Sequence, residues 1–283
     1  MPELPEVETI ARGVHERVRG DRIVEVWFGR HPQPLKTPAA RQAKGLEGRT
    51  ILAVHRTGKH IVCELGGLAD GVPLIDGGGI QEAQWIVHLG MTGRLLVTTP
   101  DAPVAAHTHA RLSLKSGREL RFVDPRRFGR LEYRELSSDA GFRAAGADPL
   151  KVTAAEFAQL FHGRKLAIKA ALLNQKLLSG VGNIYADESL FRACIRPRRR
   201  SGRLSRAELE TLRLALVKVL RHAIRLGGSS VSDYVDADGA RGFFQLEHCV
   251  YLRTGLPCRH CQTPIRRIEV AGRGTHYCPQ CQR

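Results

Sequence analysis

Apolar residues recur with two different periods along this 283-residue chain, and the change of period divides it. Near the N-terminus, Val7, Ile10, Ala11, Val14 and Val18 fall on one face of a helix drawn over VETIARGVHERV. The period then shortens to two. RIVEVWF, TILAV, HIVCEL, QWIVHL, RLLVT, ARLSL, ELRFV and RLEYREL read as short strands, with Ser116-Gly117 as a hairpin turn between two of them. Many short strands with turn signals predict a β-sandwich or barrel. The Gly-rich stretch GGLADGVPLIDGGGIQEA (66–83) reads as a surface loop.

Composition shifts over SSDAGFRAAGADPLKVT (137–153), which reads as a linker, and a helical period follows. Thr153 with Glu156, and Ser205 with Glu208, match the capping box, in which a hydroxyl and a carboxylate satisfy the free amides of a first turn. The second box opens the longest helix, SRAELETLRLALVKVLRHAIRL, closed by Gly227-Gly228. Two further helices lie in KLAIKAALLNQ and IYADESLFRACI, on either side of LLSGVGNIYA. The expectation is an α+β protein: an N-terminal β-sandwich domain with flanking helices over 1–136, a linker over 137–152, a helical domain over 153–248, and a C-terminal four-cysteine segment over 249–283.

Charge narrows the partners. Lys and Arg number 44 against 28 Asp and Glu, a formal net charge of +16. Such an excess concerns partners, not fold, and points first to nucleic acid and second to an anionic membrane. No apolar run approaches the roughly 18 residues needed to span a bilayer, and no basic amphipathic helix with exposed aromatics is present. The acidic start is unlike a signal peptide, so a cytoplasmic protein is expected. The largest basic concentrations are RPRRRSGR (196–203) and the stretch from Arg253 to Arg283. Of seven cysteines, Cys63, Cys194 and Cys249 stand alone in apolar contexts as small buried thiols, a usage that suits a reducing compartment.

The remaining four carry the strongest chemical signal. Cys258, Cys261, Cys278 and Cys281 form C-x2-C-x16-C-x2-C, the spacing of a zinc ribbon. Four thiolates leave no position for water, so the expected zinc ion is structural. Between the knuckles, RRIEV and THYC read as two strands around AGRG, placing Arg273 at a hairpin tip where a cation reaches a phosphate or is merely solvated. In GVGNIYADE, Gly180, Gly182 and Asn183 sit in a turn between helices, suited to phosphate capture or simply to turning. HLGMTG puts Met91 in a turn, and DPRRFG brings Arg126 and Phe128 together. A thioether, a guanidinium and a ring suit a wedge into a base stack, though ordinary packing also explains Met91 and Phe128. Lys59, after a glycine at a strand start, reads as a solvated lysine unless something ties it to chemistry. MPELPEVE poses a similar choice: Pro2, Glu3 and Glu6 suit an ordinary helix lead-in, since proline is pre-set for a first turn and acids suit its positive end.

PELPEVE, TGKH, HLGMTG, DPRRFG, LLNQ with GVGNIYADE, and RTGLPC with GRGTHYCPQCQ follow one another in an order that resembles the formamidopyrimidine-DNA glycosylases, bacterial repair enzymes that excise oxidised purines such as 8-oxoguanine. The resemblance runs over nearly the whole chain. It implies a helix–two-turn–helix motif in the helical domain and damaged double-stranded DNA held in the cleft between the halves, bound by a monomer. It further implies a nucleophile at Pro2, a proton donor at Glu3, a supporting acid at Glu6 and a lysine beside the lesion at Lys59. Asn183 and Arg273 would be phosphate clamps, with Arg273 also counted in the catalytic set. Met91, Arg126 and Phe128 would fill the gap left by a flipped base, and a histidine counted at position 90 joins the DNA contacts. GGSSVSDYVDADGARGFFQ (227–245) resembles the loop that closes over a flipped purine. Two features depart from the pattern: the long Gly-rich segment 66–83, and RPRRRSGR, which would add phosphate contacts.

Given that role, proline has a chemical reason. A chain-end amine has a pKa near 7.7–8.0 against about 10.4 for lysine, so roughly 10% is neutral at pH 7 against under 0.1% for lysine. Its adduct with a sugar carbon opens to an iminium that is cationic without a proton, an electron sink from which phosphate can leave by β,δ-elimination. Two other readings share part of the pattern. The endonuclease VIII-type sister enzymes remove oxidised pyrimidines but open PEG rather than PEL. A non-enzymatic zinc-ribbon DNA-binding protein would account for the charge and the cysteines but not for Pro2, Glu3 and Lys59.

Overall fold

The alternating runs of the first half pair into two antiparallel sheets in the computed structural model, which describes residues 1–67, 81–136, 141–231 and 234–283. Two units result: Met1–Arg143 with Ser229–Gly242, and Ala144–Gly228 with Phe243–Arg283. Of the Gly-rich loop expected at 66–83, residues 68–80 lie outside the described residues, as do 137–140 of the expected linker and 232–233 of the expected capping loop.

The first unit holds α1 (Leu4–Val18), β1 (Ile23–Phe28), α2 (Ala39–Leu46), β2 (Thr50–Thr57), β3 (His60–Gly66), β4 (Gln81–His88), β5 (Arg94–Thr98), β6 (Thr108–Leu114), β7 (Glu119–Val123) and β8 (Arg130–Glu135). Each of the eight period-two runs forms a strand. One sheet has the order β2-β3-β4-β8 and the other β1-β6-β7-β5. Alternation dictates what faces inward: Ile61, Cys63 and Leu65 of β3 and Trp85 and Val87 of β4 share one core with Leu112 of β6 and Leu120 and Phe122 of β7. The predicted face of α1, Val7, Ile10, Ala11, Val14 and Val18, packs into the same core, and so do Tyr234 and Ala237. Each large side chain buried there contributes about 1.5–3 kcal/mol.

Helix α2 has no apolar stripe to announce it. Its inward face is Gln42 and Leu46. Gln42 Nε2 donates to the Thr37 carbonyl at 2.8 Å and to the Leu131 carbonyl at 3.2 Å, while Trp85 Nε1 donates to Gln42 Oε1 at 3.2 Å. A buried amide satisfied on both sides takes the place of hydrophobic patterning.

The second unit holds α3 (Ala154–Phe161), α4 (Ile168–Leu173), α5 (Asn183–Arg192), α6 (Arg206–Arg225), β9 (Arg266–Val270) and β10 (Arg273–Tyr277). Both capping boxes form. The Thr153 and Ser205 amides donate to Glu156 and Glu208 at 2.9 and 2.8 Å, and the hydroxyls accept from Glu156 and Glu208 N–H at 3.3 and 3.2 Å. Such a cap stabilises a helix by about 1 kcal/mol. Gly228 N–H returns to Ala223 O at 2.8 Å and Gly227 N–H to Ile224 O at 3.1 Å, a Schellman closure of α6. Helix α6 buries Leu212, Leu216, Leu220 and Ala223 along one face and packs against α5, which in turn meets β10.

Candidate functional site

Helix α1 begins at Leu4, so Glu3 is its N-cap and Pro2 lies one residue outside. Pro2 is buried, and Glu3 and Glu6 are only 4% and 2% exposed. One carboxylate organises this end of the chain. Glu6 Oε2 accepts the Glu3 N–H at 2.8 Å, and Glu6 Oε1 accepts the Ser229 N–H at 2.8 Å. The second bond ties the chain start to the segment that opens at Ser229, whose Tyr234 hydroxyl lies 3.5 Å from the Glu6 carbonyl oxygen. Burial, and then the Glu6 charge, push the Tyr234 phenol well above its usual range. The segment is held elsewhere too: Val97 N–H donates to Ala237 O at 2.9 Å, and Asp238 pairs with Arg17.

Lys59 departs from the solvated reading. It is the second residue of a two-residue hairpin between β2 and β3, with Thr57 paired to His60. Gly58 takes φ +61 while Lys59 keeps an ordinary φ, the pattern of a type II′ turn. That turn leaves Lys59 only 9% exposed. Its charge is the second cause, after burial, that lowers the pKa of His88. The His60 ring lies 4.8 Å from that of His88, and burial, followed by the His88 charge, brings His60 down to about 4. Both imidazoles are thus biased to the neutral form beside a lysine.

The histidine counted at position 90 is a misplacement, because that residue is Gly90 and the histidine of HLGMTG is His88. His88 Nδ1 accepts the Gly90 N–H at 3.2 Å and so shapes the turn that presents Met91. Met91 is 42% exposed and Phe128 48%, and the Arg126 guanidinium stands 4.9 Å from the Phe128 ring centroid. Asp124, fully buried, joins the two turns. Its Oδ1 accepts from Thr92 Oγ1 at 2.6 Å and from Arg126 N–H at 3.3 Å, and its Oδ2 accepts from Gly129 N–H at 2.7 Å. Asp124, to which the sequence pattern assigns no role, thus ties together the turns that carry Met91, Arg126 and Phe128. Beyond Arg126, Pro125 and Arg127 line a concavity of about 690 Å³ together with Trp27, His31 and His109.

In the second unit, Gln175 builds the glycine turn: its Nε2 donates to Val181 O at 2.7 Å, and its Oε1 accepts Gly180 N–H at 2.9 Å. Asn183 then opens α5, at the positive end of its dipole. Its Nδ2 donates to the Gly274 carbonyl at 3.0 Å, and Lys169 Nζ donates to the same oxygen at 3.1 Å. Lys169 pairs with Asp187 at 2.7 Å, both fully buried. The other Asp187 oxygen accepts His276 N–H at 2.8 Å and lies 3.1 Å from His276 Nδ1. This network pins β10, whose first residue, the exposed Arg273, pairs with Val270 beside the Ala271-Gly272 turn. Asn183 and Arg273 are thereby held in one assembly. Lys169 lies outside every motif of the sequence, and Asp187, although part of GVGNIYADE, shows its role only once its partners Lys169 and His276 are brought to it by the fold.

The sulfurs of Cys258, Cys261, Cys278 and Cys281 all lie within 4.8 Å of one another, with Cys258 and Cys281 at 3.9 Å and Cys261 and Cys278 at 3.4 Å. A tetrahedral ion with Zn–S bonds of about 2.3 Å needs sulfurs about 3.8 Å apart, so the four cysteines fit one zinc. Val250 and Ile265 pack on the cluster. The β9–β10 hairpin that carries Arg273 lies between the two cysteine pairs.

Comparison with known proteins follows the same division. The profile of the formamidopyrimidine-DNA glycosylase N-terminal domain matches residues 1–131, that of the H2TH domain of the same glycosylases matches 145–235, and that of the zinc finger found in FPG and IleRS matches 255–283. The formamidopyrimidine-DNA glycosylase of Solibacter usitatus is 45% identical over 285 residues, covering all of both chains. A Lactococcus lactis FPG variant in complex with Fapy-dG-containing DNA superposes with a TM-score of 0.86 at 32% identity over the whole of both chains. The Lactococcus lactis Fpg bound to abasic-site DNA gives 0.86 at 32% identity over 99% of each.

Proposed function

The chain belongs to the formamidopyrimidine-DNA glycosylase family, and from that premise we propose that it excises oxidised purines, 8-oxoguanine and formamidopyrimidines, from duplex DNA and then cuts the strand, with Pro2, freed of Met1, as the nucleophile. The observation that carries the residue assignment is the placement of Glu6, which grips Glu3 with one oxygen and Ser229 with the other. Buried carboxylates are costly unless hydrogen-bonded, and Glu3 and Glu6 meet that cost by capping the first turn of α1, which anchors the chain directly after Pro2.

The neutral Pro2 amine adds its lone pair to C1′ of the sugar as the bond from C1′ to the base breaks, and the proton that the new ammonium sheds leaves on the departing base. Glu3 delivers a proton to the ring oxygen as the sugar opens, a step for which a positioned acid typically supplies 10²–10⁴-fold. The product is an iminium at C1′. It accepts the electron pair left when the C2′ proton departs, and the 3′ phosphate leaves. A second elimination expels the 5′ phosphate, and water then releases Pro2. Glu6 holds Glu3 and the Ser229 segment in register, and Lys59 neutralises phosphate beside the lesion.

Before any of this the base must leave the stack, at a few kcal/mol. Met91, Arg126 and Phe128 offset that loss by occupying the gap, and Asp124 fixes the backbone of the two turns that carry them beforehand. Asn183 and Arg273 hold phosphates without reading sequence. In this reading residues 1–136 supply the chemistry, while 153–248 and 249–283, with one structural zinc, supply the grip. No helix among the described residues is long and apolar enough to cross a membrane. A cytoplasmic monomer acting on the nucleoid completes the assignment. A fixed N-terminal extension tests it: excision should vanish while lesion-duplex binding persists, and excision by the extended protein would remove Pro2 from the mechanism.

A further inference from the structure

RPRRRSGR (196–203) stands apart from the residues used above, yet its main chain is fastened at several points. It links α5 to α6 with its main chain bonded on both sides. Ile168 N–H donates to Arg199 O at 2.7 Å, Ser201 N–H to Leu166 O at 2.8 Å, Gly202 N–H to Arg164 O at 3.0 Å and Arg196 N–H to Arg283 O at 2.9 Å. Ser201 is fully buried, and its hydroxyl also donates to Leu166 O at 3.1 Å. Only glycine fits at 202, where a Cβ would lie 2.7 Å from the backbone N and O of Arg164. Such fastening makes a platform, and what the platform displays is guanidinium.

Arg198, Arg199, Arg200 and Arg203 line a concavity of about 590 Å³. Arg199 is engaged internally, paired with Glu208 at 2.6 Å. Arg198, Arg200 and Arg203 are exposed, and among the described residues no carboxylate pairs with any of them. Arg198 makes one bond, to the Glu269 carbonyl at 3.3 Å, which steadies the side chain without neutralising it. Like charges gathered around one hollow repel each other, and nothing in the packing requires them there. An anion from outside would relieve that repulsion, and planar forks that take two oxygens at once suit phosphate in particular.

We propose that Arg198, Arg200 and Arg203 form a preorganised phosphate cradle that binds the backbone of duplex DNA in addition to the grip of Asn183 and Arg273. Duplex DNA presents two phosphates in each 3.4 Å of its axis, so a cluster of forks in one hollow meets several anions at once. The inference rests on the DNA-repair reading for its choice of polyanion. The cradle adds affinity for any sequence, damaged or not, and has no part in the chemical step.

The test replaces all three by glutamine, Arg198→Gln, Arg200→Gln and Arg203→Gln, in the full chain with zinc, next to a control with the same charge change at Arg41, Arg206 and Arg221. Affinity for an undamaged duplex is measured against sodium chloride concentration, and inorganic tripolyphosphate is used as a competitor. The cradle predicts a fall of about 2–3 in the slope of log K against log salt, since each phosphate contact contributes about 0.9. The control slope stays within about half a unit, and single-turnover excision at saturating lesion duplex stays within about twofold. An unchanged slope overturns the proposal. So does an equal fall in the control, which would report general charge. Loss of tripolyphosphate binding with an unchanged DNA slope would make the hollow a site for free polyphosphate and overturn the choice of DNA. If the wild type excises no oxidised base, the repair reading fails, while the slope on undamaged duplex still decides the cradle.

Discussion

The side-chain amide of Asn183 donates to the carbonyl oxygen of Gly274, 3.0 Å away, and so joins the glycine turn at the head of α5 to the hairpin that carries Arg273. Two residues 90 apart in sequence that are expected to hold phosphate therefore share a support. Lys169 reaches the same oxygen at 3.1 Å while pairing with buried Asp187.

That sharing predicts coupling. Asn183→Ala and Arg273→Ala should each weaken lesion-duplex binding by about 1–3 kcal/mol, and their effects should fall short of adding, by about 0.5 kcal/mol or more. Strict additivity in a double-mutant cycle would mean that the clamps act separately. Lys169→Met should be worse for folding than for binding. It strands a buried carboxylate at a cost of about 3–5 kcal/mol in urea unfolding, and Lys169→Met with Asp187→Asn should recover part of that.

Zinc removal should act through Arg273. Metal analysis should give one zinc per chain, and stripping it with a chelator should unfold the hairpin, because apparent binding energies of about 10–16 kcal/mol in such sites are folding energy. Lesion binding should then weaken at least tenfold, with restoration on adding zinc back. Binding that survives a verified loss of zinc would detach the finger from the grip.

Met91 and Phe128 are exposed, so truncating them should barely affect stability, by under about 0.5 kcal/mol. In the proposed mechanism their work comes when the base leaves the stack. Met91→Ala and Phe128→Ala should slow single-turnover removal of a paired 8-oxoguanine by about 10–100-fold, and leave cleavage at a preformed abasic site within a few-fold. Equal slowing on both substrates would argue against a wedge. Asp124→Ala should slow excision likewise but with a measurable stability loss, since it leaves three donors without their acceptor.

Burial holds His248, and independently His60, at about 4 against an ordinary 6.5. Since the unfolded chain takes up these protons first, the stability contributed by each neutral ring is complete above about pH 6.5 and is lost as pH falls through the window toward 4. The total is about 3 kcal/mol per ring. Imidazole NMR titration should give midpoints near 4 for both; a midpoint near 6.5 would contradict the burial argument.

Much of this was legible before any coordinates, and the reasons are physical. The eight strands follow from alternation, α6 from its capping box and its Gly227-Gly228 stop, and the zinc site from cysteine spacing, all of which are local rules. What escaped was polar and non-local. Helix α2 turns Gln42 inward, Asp124 reaches Thr92 across 32 residues of sequence, and Lys169 meets Asp187 only through the packing of α4 on α5. Lys59 was visible as a residue of a motif, but its burial beside His88 depends on a hairpin geometry that sequence pattern does not reveal.

The most direct test of the central claim is borohydride trapping on an 8-oxoguanine duplex, followed by mass mapping of the cross-linked peptide. The account predicts a reduced adduct on the nitrogen of Pro2 in protein that has lost Met1, at a yield that collapses on N-terminal extension. An adduct on Lys59, or none from zinc-loaded protein that binds the duplex, would contradict it.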